Sequence, residues 1–277
     1  MSKNDGYTVD ELMIVCMARE VYDEGIVMQG LTTPMATTAY YLAKATHAPN
    51  AYIYQLAGNI LTNELDALPV ALVFNEFQAM KAAMHIRSQL EVYETLFTRT
   101  NSIIEFFRPA QIDKYGNMNN TVIGEPENPK VKLPGAFGIP DAFLIYPKLL
   151  IYVPRHEKRV FVEKVDCISG LGMSEKISDQ KEIIVISNLG VFYVSTSTKE
   201  MEVLTIHPGV SIDELNENTS FKLKIPQDIS ETKPPTANEL KLIREKIDPL
   251  GTRKLEMLGG KERQELLWEI MDKETVV

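Results

Sequence analysis

Polar and cationic side chains gather in one short stretch, residues 108–119, which follows a predicted strand. Arg108 carries a planar guanidinium that can hold a carboxylate through two parallel hydrogen bonds. Gln111 and Asn117 carry amides that could face a substrate from a loop at the end of a strand. The same residues are equally typical of a turn in which Asp113 and Asn117 bond to the backbone, with Arg108 exposed. Both interpretations stay open at this point.

Small residues mark three further loops. Two of them, residues 30–33 and 56–59, each follow a short predicted strand, and ligands of open α/β sheets bind outside the carboxyl ends of strands. The candidate pocket residues there are Gly30, Thr32, Gln55, Leu56, Ala57 and Gly58. The third loop consists of Gly135, Ala136, Phe137 and Gly138, whose backbone amides could hold an oxyanion. The alternative is an ordinary turn before a strand over residues 142–146.

Other common catalytic groups have no recognisable pattern. None of the four histidines has a His or Cys partner three or four residues away, which argues against a metal site: His47, His85, His156 and His207. We expect His207, before a Pro-Gly turn, to play a structural hydrogen-bonding role. Cys16 and Cys167 are predicted core residues without a disulfide, as in a reducing compartment. The sequence contains no P-loop and no GxGxxG motif.

Short apolar strands alternate with helices along the chain, which predicts an α/β fold with a mainly parallel sheet flanked by helices. We predict helices over residues 7–23, capped by Thr8, and over 35–45 after Pro34, 74–94 and 238–246. Predicted strands cover 26–28, 51–55, 102–107 and 149–154, with a β-branched run at 160–168. Residues 182–187 and 191–194 are predicted to pair around a turn in which Asn188 or Gly190 has a positive φ.

Composition is that of an ordinary globular protein, with 44% hydrophobic and 24% charged residues among 277. Twenty-nine basic residues against 38 acidic ones give a net charge of −9, without a basic cluster, so we expect neither nucleic acid nor a membrane as a partner. The first ten residues lack the features of a signal peptide, which favours the cytoplasm. We expect a single domain over residues 1–277, with a connecting arm at 222–237 and a helical tail at 238–277.

Several segments follow one another in a fixed order: THAPN (46–50), AQIDKYGNMN (110–119), GAFG (135–138), HEKR (156–159) with KVD (164–166), SNLGVF (187–192), HPGV (207–210), and LIR (242–244) with IDP (247–249). Together they resemble the β subunits of class I CoA-transferases, the glutaconate-type members most of all. The resemblance covers the chain from about Arg19 to about Arg253. It implies a NagB/RpiA/CoA-transferase-like fold, an α subunit as partner in a heterodimer or an α2β2 heterotetramer, and an acyl-CoA substrate that brings coenzyme A with it, without a tightly bound cofactor.

The resemblance also indicates that this chain lacks a glutamate where the family carries its nucleophile. Family transferases pass coenzyme A through a glutamyl thioester, and counting eight residues from Ala48 places that glutamate at Leu56. The nearest glutamate, Glu64, is eight residues further on. In the same comparison residues 135–138 take the place of the family's glycine-rich loop, and we expect Phe137 and Ile139, which depart from its pattern, to narrow the pocket.

Relatives without the glutamate carry out other acyl-CoA chemistry, and residues 159–166, 169–170 and 187–192 are most similar to a ring-opening hydrolase of steroid degradation. We therefore expect hydrolytic, retro-Claisen-like cleavage of a cyclic CoA thioester, with the catalytic residue of this chain unknown. A genuine CoA-transferase subunit and a non-catalytic scaffold subunit are the alternatives.

Overall fold

The computed structural model describes residues 6–30, 33–56, 58–62, 65, 69–72, 75–174 and 181–275. These residues form two compact units, the first from residues up to 106 and from 234 onward, the second from residues 107–233. Both units combine strands and helices, which confirms the predicted α/β class, while the single-domain organisation stays a prediction. In the described part of the chain no helix is both long and apolar enough to cross a membrane.

The first unit is built around a five-stranded sheet. Its elements up to residue 107 are α1 (Val9–Arg19), β1 (Ile26–Gln29), α2 (Pro34–Thr46), β2 (Tyr52–Gln55), β3 (Ile60–Thr62), α3 (Asn75–Lys81), β4 (His85–Ile86), α4 (Gln89–Thr98) and β5 (Ile103–Phe107). The strand order is β5-β1-β2-β3-β4. Strands β5, β1 and β2 are parallel, and β3 and β4 extend the sheet in antiparallel fashion. The predicted strands near residues 26, 51 and 102 are thereby confirmed.

Two predicted helix starts are confirmed by their local chemistry. Thr8 and Glu11 form a reciprocal capping box at the start of α1, in which the Thr8 amide donates to the Glu11 carboxylate at 2.9 Å. Pro34 occupies the first turn of α2, where its missing N–H costs no helical hydrogen bond. Helix α1 then buries Leu12, Val15 and their neighbours along its length.

The single helix predicted over residues 74–94 is wrong. Helices α3 and α4 are separated by β4, which pairs with β3 through His85 and Leu61. Helix α4 starts afresh at Ser88, whose side chain accepts from the Glu91 amide. Pairing with a strand some twenty residues away has overridden a continuous helical propensity, as tertiary context often does.

The second unit carries another five-stranded sheet and two small hairpins. Its elements are β6 (Gln111–Ile112), β7 (Met118–Asn119), β8 (Val122–Ile123), β9 (Val131–Lys132), α5 (Ile139–Ile145), β10 (Lys148–Val153), β11 (Glu182–Ser187), β12 (Gly190–Val194), β13 (Met201–Ile206), α6 (Ile212–Glu217) and β14 (Ser230–Glu231). The strand order is β14-β13-β12-β11-β10. Strands β10 and β11 are parallel, β11 to β13 antiparallel, and β13 and β14 parallel.

Three predictions fail in the second unit. Residues 142–146 belong to helix α5 and its end, because a turn at Gly138 and Pro140 starts a helix that buries Phe143. Residues 160–168 form no strand and contribute only an isolated bridge at Phe161. The 182–194 hairpin is confirmed, but the positive φ expected in its turn is absent. Gly190 is needed for close approach, since a Cβ there would lie 2.5 Å from the Thr205 carbonyl oxygen.

The C-terminal segment returns to the first unit. It comprises α7 (Ala237–Lys241), π-helical turns over Leu242–Ile247, a 3-10 helix over Thr252–Glu256, and α8 (Gly260–Thr275). Arg253 is buried and its guanidinium contacts Asp10 on α1 at 2.7 Å and Asp248 at 2.9 Å. The segment predicted as a helical tail therefore ties into the buried part of this unit by ion pairs.

Candidate functional site

The carboxyl ends of β1 and β2 lie side by side in the first unit. The two parallel strands pair Gln29 with Gln55, both buried, and the amide of Leu56 donates to the Gln29 carbonyl at 3.2 Å. Gly30 and Leu56 therefore leave the sheet at the same edge, the place where α/β sheets bind ligands. Two other candidates, Thr32 and Ala57, lie outside the described residues.

The turn after β2 contains no acidic side chain. Leu56 is partly exposed, and residues 52–62 contain neither aspartate nor glutamate. Gly58 is followed by Asn59, which adopts a left-handed φ of 52°, and the Asn59 carbonyl accepts from the Arg87 amide on the segment after β4. A side-chain carboxylate is thus missing from residues 52–62, and Glu64 lies outside the described residues.

Helix α2 begins just after the Gly30 loop, and its N-terminus already has an anionic partner. The Met35 amide donates to the buried carboxylate of Glu256 at 2.9 Å. A negative group is stabilised at this end of a helix by the free amides and the helix dipole. Sequence reasoning missed Glu256 because 221 positions separate the two partners. The Met35 amide consequently has its hydrogen-bond acceptor within the chain.

Gln111 is the centre of a buried amide network in the second unit. Its Oε1 accepts from Asn119 Nδ2 at 2.8 Å and from the Asp166 amide at 3.0 Å, while its Nε2 donates to the Asp166 carboxylate at 3.1 Å. The same carboxylate accepts from the Gly124 amide at 2.8 Å. These contacts fix Gln111 in place, and a substrate contact for it stays a prediction.

Asn117 belongs to the turn between β6 and β7. Asp113 accepts there from the backbone amides of Tyr115 and Asn117 and from Asn117 Nδ2 at 2.9 Å. Asn117 Oδ1 accepts in turn from the Gly172 amide at 2.8 Å. Burial raises the pKa of Asp113 above its usual value although these hydrogen bonds act in the opposite direction. The geometry is that of the side-chain-supported turn; a ligand role for Asn117 stays a prediction.

Asn120 links Arg108 to the glycine-rich loop, and sequence reasoning missed it. Its Nδ2 donates to the Arg108 carbonyl at 3.0 Å, and its Oδ1 accepts from the Ala110 amide at 2.8 Å. Its own carbonyl accepts from the Gly135 amide at 3.0 Å, and its amide donates to Ser169 Oγ at 2.8 Å. One asparagine therefore joins two candidate segments, and exposed Arg108 follows β5 directly.

The loop from Gly135 to Gly138 has an open backbone. Gly135 has a φ of 110°, and a Cβ at either glycine would meet nothing within 4 Å. Phe137 has a left-handed φ of 47°, which is unfavourable for an L residue with a bulky side chain, and its ring is 79% exposed. Among the described residues, the amides of Ala136, Phe137 and Gly138 have no hydrogen-bond acceptor. Such a loop can offer several N–H groups to an anion.

Two buried histidines and one buried cysteine serve as structural groups: His156, His207 and Cys16. His207 bonds to Thr232 Oγ1 and the Ser187 carbonyl, which confirms its predicted hydrogen-bonding role. His156 is buried against the Phe161 ring and bonds to Ser187 Oγ. Burial raises the pKa of the Cys16 thiol to about 12, in keeping with a core residue. Within the described ranges no group of three His, Cys, Asp or Glu side chains could hold a metal ion.

Most of this chain matches the model of a known protein family. The family model described as Coenzyme A transferase matches residues 11–218. The chain is 27% identical to the B subunit of the 3-oxoadipate CoA-transferase of Pseudomonas knackmussii, covering 86% of this chain and 92% of that one. It is 31% identical to the cholesterol ring-cleaving hydrolase IpdB subunit of Rhodococcus jostii, over 71% of this chain and 81% of that one.

The fold is shared with a third kind of enzyme. The crystal structure of the decarboxylase AibA/AibB contains a chain that superposes with a TM-score of 0.78 at 26% identity, over 89% of this chain and 97% of that chain. Transferase, hydrolase and decarboxylase names therefore all occur among proteins similar to this one.

Proposed function

Because this chain belongs to the Coenzyme A transferase family, we propose that it is the β-type subunit of a heteromeric enzyme that cleaves a carbon–carbon bond in an acyl-CoA thioester by hydrolysis. Its partner is an α-type subunit, in a heterodimer or an α2β2 heterotetramer. Coenzyme A enters as part of the substrate, which is a cyclic acyl-CoA.

Leu56 is the observation that carries this proposal. Resemblance to the family transferases puts their nucleophilic glutamate at this position, at the carboxyl end of β2 and beside Gly30. A leucine side chain can neither attack a thioester nor exchange a proton. The absence of any acid from residues 52–62 also speaks against a nucleophile displaced by one or two positions. This subunit then shapes the pocket, and a carboxylate of the α-type subunit acts as general base or acid.

The glycine-rich loop is suited to stabilise the charge that develops in such a cleavage. Water adds to a carbonyl carbon β to the thioester, the bond between that carbon and the α carbon breaks, and its electron pair moves onto the thioester as an enolate. Backbone amides of Ala136, Phe137 and Gly138 are available to that oxyanion. Protonation of the α carbon and loss of a proton from the new carboxylic acid, which stays attached to the opened ring, complete the balance without an oxidant or a second CoA acceptor.

Covalent trapping tests the proposal. The complex with the α-type subunit is incubated with an acyl-CoA and treated with borohydride or hydroxylamine, and this chain is examined by mass spectrometry. We expect no modified carboxylate on the wild-type chain, while a cyclic β-keto acyl-CoA is opened with incorporation of one 18O atom from water into the new carboxylate.

Leu56→Glu provides the matched variant. It restores the carboxylate of the family pattern, so we expect a trapped adduct at position 56 and slow exchange of CoA between carboxylates. Gln55→Glu, one position earlier on the buried strand, serves as the control and should give no adduct.

The names of the relatives keep a genuine CoA-transferase as the second candidate, since one of them is a 3-oxoadipate CoA-transferase. A trapped glutamate or aspartate on the wild-type chain, together with CoA exchange between two carboxylates, would establish that candidate and refute the hydrolase. Unchanged turnover in Gly138→Ala, Gln55→Ala and Gln111→Ala, with normal assembly, would instead assign this chain a scaffold role.

A further inference from the structure

The loop from Gly135 to Gly138 contains a tight turn with an unusual residue at its centre. The Ile139 amide donates to the Ala136 carbonyl at 2.9 Å, which closes a four-residue β-turn around Phe137 and Gly138. Phe137 has a φ of 47°, and Gly138 has a φ of −81° and a ψ of 3°. These angles match the two central positions of a type II′ turn, whose first central position is normally glycine. Phenylalanine therefore occupies the position that favours glycine, and glycine occupies the position that does not.

The Phe137 side chain does not offset this backbone strain by packing within the chain. Its ring is 79% exposed, a larger fraction than that of any other large apolar side chain in the described part of the chain. A positive φ is unfavourable for a bulky residue, and a ring left in water gains little from apolar burial. Strained residues of this kind cluster at active sites and ligand clamps. The position of Phe137 is therefore that of a residue retained for a contact outside the folded chain.

Gly138 is the complementary exception. Its φ of −81° is one that any residue adopts, and a Cβ at this position would meet no atom of the described residues within 4 Å. Gly138 is also the N-cap of α5, where Ser, Asn and Asp are preferred to glycine. Neither the backbone nor the packing of the described residues thus requires glycine here. A remaining reason for glycine is the close approach of a ligand to the backbone.

We propose that Phe137 determines the specificity of this site for the acyl group, because its ring packs against the acyl part of the bound thioester. The inference rests on the proposed function, in which the backbone amides of Ala136, Phe137 and Gly138 hold the oxyanion. Since the ring belongs to one of these three residues, the atoms within its reach are those next to the thioester carbonyl. The absence of a side chain at Gly138 leaves the space through which the thioester approaches the amides.

The chemistry of the ring selects the acyl group among the parts of the substrate. The pantetheine arm on the other side of the thioester carries amides, which an apolar ring does not bind as hydrogen-bonding partners, and the adenine lies at the far end of that arm. A cyclic acyl group in contact with Phe137 removes more apolar surface from water than a short acyl group does. The ring therefore favours cyclic over short acyl groups.

Ligand binding to the complex with the α-type subunit tests this role without requiring turnover. The Kd values of cyclohexanecarbonyl-CoA, acetyl-CoA and free CoA are measured by titration calorimetry. We expect the wild-type complex to bind cyclohexanecarbonyl-CoA at least tenfold more tightly than acetyl-CoA. Phe137→Ala, which keeps the backbone strain, and Phe137→Gly, which relieves it, should both reduce this preference to less than threefold. Leu144→Ala, at another exposed apolar residue of the second unit, is the control and should leave the preference unchanged.

Gly138→Ser tests the space beside the backbone. Serine is a better N-cap than glycine, so the Tm of the variant should not fall. The added side chain occupies the space that the thioester needs, and the Kd values of cyclohexanecarbonyl-CoA and acetyl-CoA should both weaken at least tenfold. Unchanged Kd values would contradict a close approach of the thioester to this backbone and would overturn the proposal.

The outcomes separate this inference from the proposed function. Hydrolytic ring opening by a complex whose acyl preference is the same with and without the Phe137 ring overturns the specificity role and leaves the function standing. Loss of the preference in both Phe137 variants, together with a trapped glutamyl thioester on the wild-type chain, supports the specificity role and refutes the hydrolase. If the two variants weaken free CoA as much as cyclohexanecarbonyl-CoA, the ring contacts the CoA moiety; if they weaken the Kd for the α-type subunit, it contacts that subunit. Both of these results would overturn the proposal.

Discussion

The two clusters of candidate residues are fixed by different interactions. The first unit is held by buried charges: Arg253 contacts Asp10 and Asp248, and Glu256 caps α2, which follows the Gly30 loop. The loops of the second unit are supported mainly by neutral amides and hydroxyls, with Gln111 and Asn120 at their centres. Buried charges are costly when one partner is lost, whereas neutral hydrogen bonds contribute about 0.5–1.5 kcal/mol each. The two units should therefore respond differently to mutation and to acid.

The largest effect is expected from Arg253→Met in the first unit. The substitution leaves the carboxylates of Asp10 and Asp248 buried without their guanidinium, and breaking a buried pair in this way costs about 3–5 kcal/mol. Urea unfolding followed by the fluorescence of Trp268, the single tryptophan, measures the free energy of unfolding. Lys273→Met is the control: Lys273 and its partner Glu269 are both more than half exposed, and the loss of this pair should cost about 1 kcal/mol or less. Equal losses of unfolding free energy in both variants would contradict the expected difference between a buried and an exposed ion pair.

Acid should weaken the second unit before the first. Burial lowers the pKa of His156 to about 3 and, against the hydrogen bond to Ser187, that of His207 to about 4. Both are neutral in the folded chain, so below about pH 6.5 the unfolded chain binds more protons and stability falls.

In the first unit, burial alone would raise the pKa of Glu11, but the hydrogen bond and charge of Arg244, together with Arg253, hold this pKa below its usual 4.5. Its contribution is therefore lost only as the pH falls below that value.

From pH 7 to pH 5 we expect the second unit to lose on the order of 2–4 kcal/mol. Hydrogen exchange, corrected for the intrinsic rate, gives the opening free energy of each unit at the two pH values. His156→Gln should flatten the pH dependence of the second unit by about 1.4 kcal/mol per pH unit. His85→Gln, at an exposed histidine, is the control and should leave it unchanged. If acidification lowered the opening free energy of the first unit at a higher pH than that of the second, the expected order would be wrong.

A smaller effect is expected from Asn120→Ala. It removes the side-chain bonds to Arg108 and Ala110, at a cost of about 1–3 kcal/mol. Exchange of the Gly135 amide should quicken, because this amide donates to the carbonyl of Asn120. Asn128→Ala, at an exposed asparagine, should leave both quantities unchanged. A loss as large as that of Arg253→Met would show that neutral networks are as costly to break as buried charges here.

The smallest effect on stability is expected at Phe137. Phe137→Gly relieves the left-handed backbone and should raise the free energy of unfolding by up to about 1 kcal/mol. Phe137→Ala keeps the backbone strain, so it should not stabilise. Both variants lack the exposed ring and should raise KM for an acyl-CoA if the ring contacts substrate. A KM unchanged in both would remove Phe137 from the pocket.

Part of the fold was predictable because its signals are local. The start of α1 follows from Thr8 and Glu11 three residues apart, and that of α2 from Pro34. The errors fall where distant contacts decide. Residues 85–86 form an edge strand because β3 is there to pair with them, and residues 142–145 are helical because a turn at Gly138 starts a helix that buries Phe143.

The candidate sites show the same division. Gly30 and Leu56 could be placed together from the sequence, since parallel strands end at one edge of a sheet. Glu256 and Asn120 could not be found, because one caps a helix more than two hundred residues away and the other works partly through its backbone carbonyl. No periodicity or motif marks either kind of contact.

The sequence by itself determined the α/β class, the resemblance to the Coenzyme A transferase family and the leucine at position 56, because these depend on residue types and their order. Tertiary structure alone decided which groups hold the candidate loops and which apolar side chains remain exposed. Burial, ion pairing and the left-handed φ of Phe137 depend on segments that are distant in the chain and adjacent in space. For that reason the exposed apolar side chains of α4, Leu90, Tyr93 and Phe97, become visible only in the folded chain.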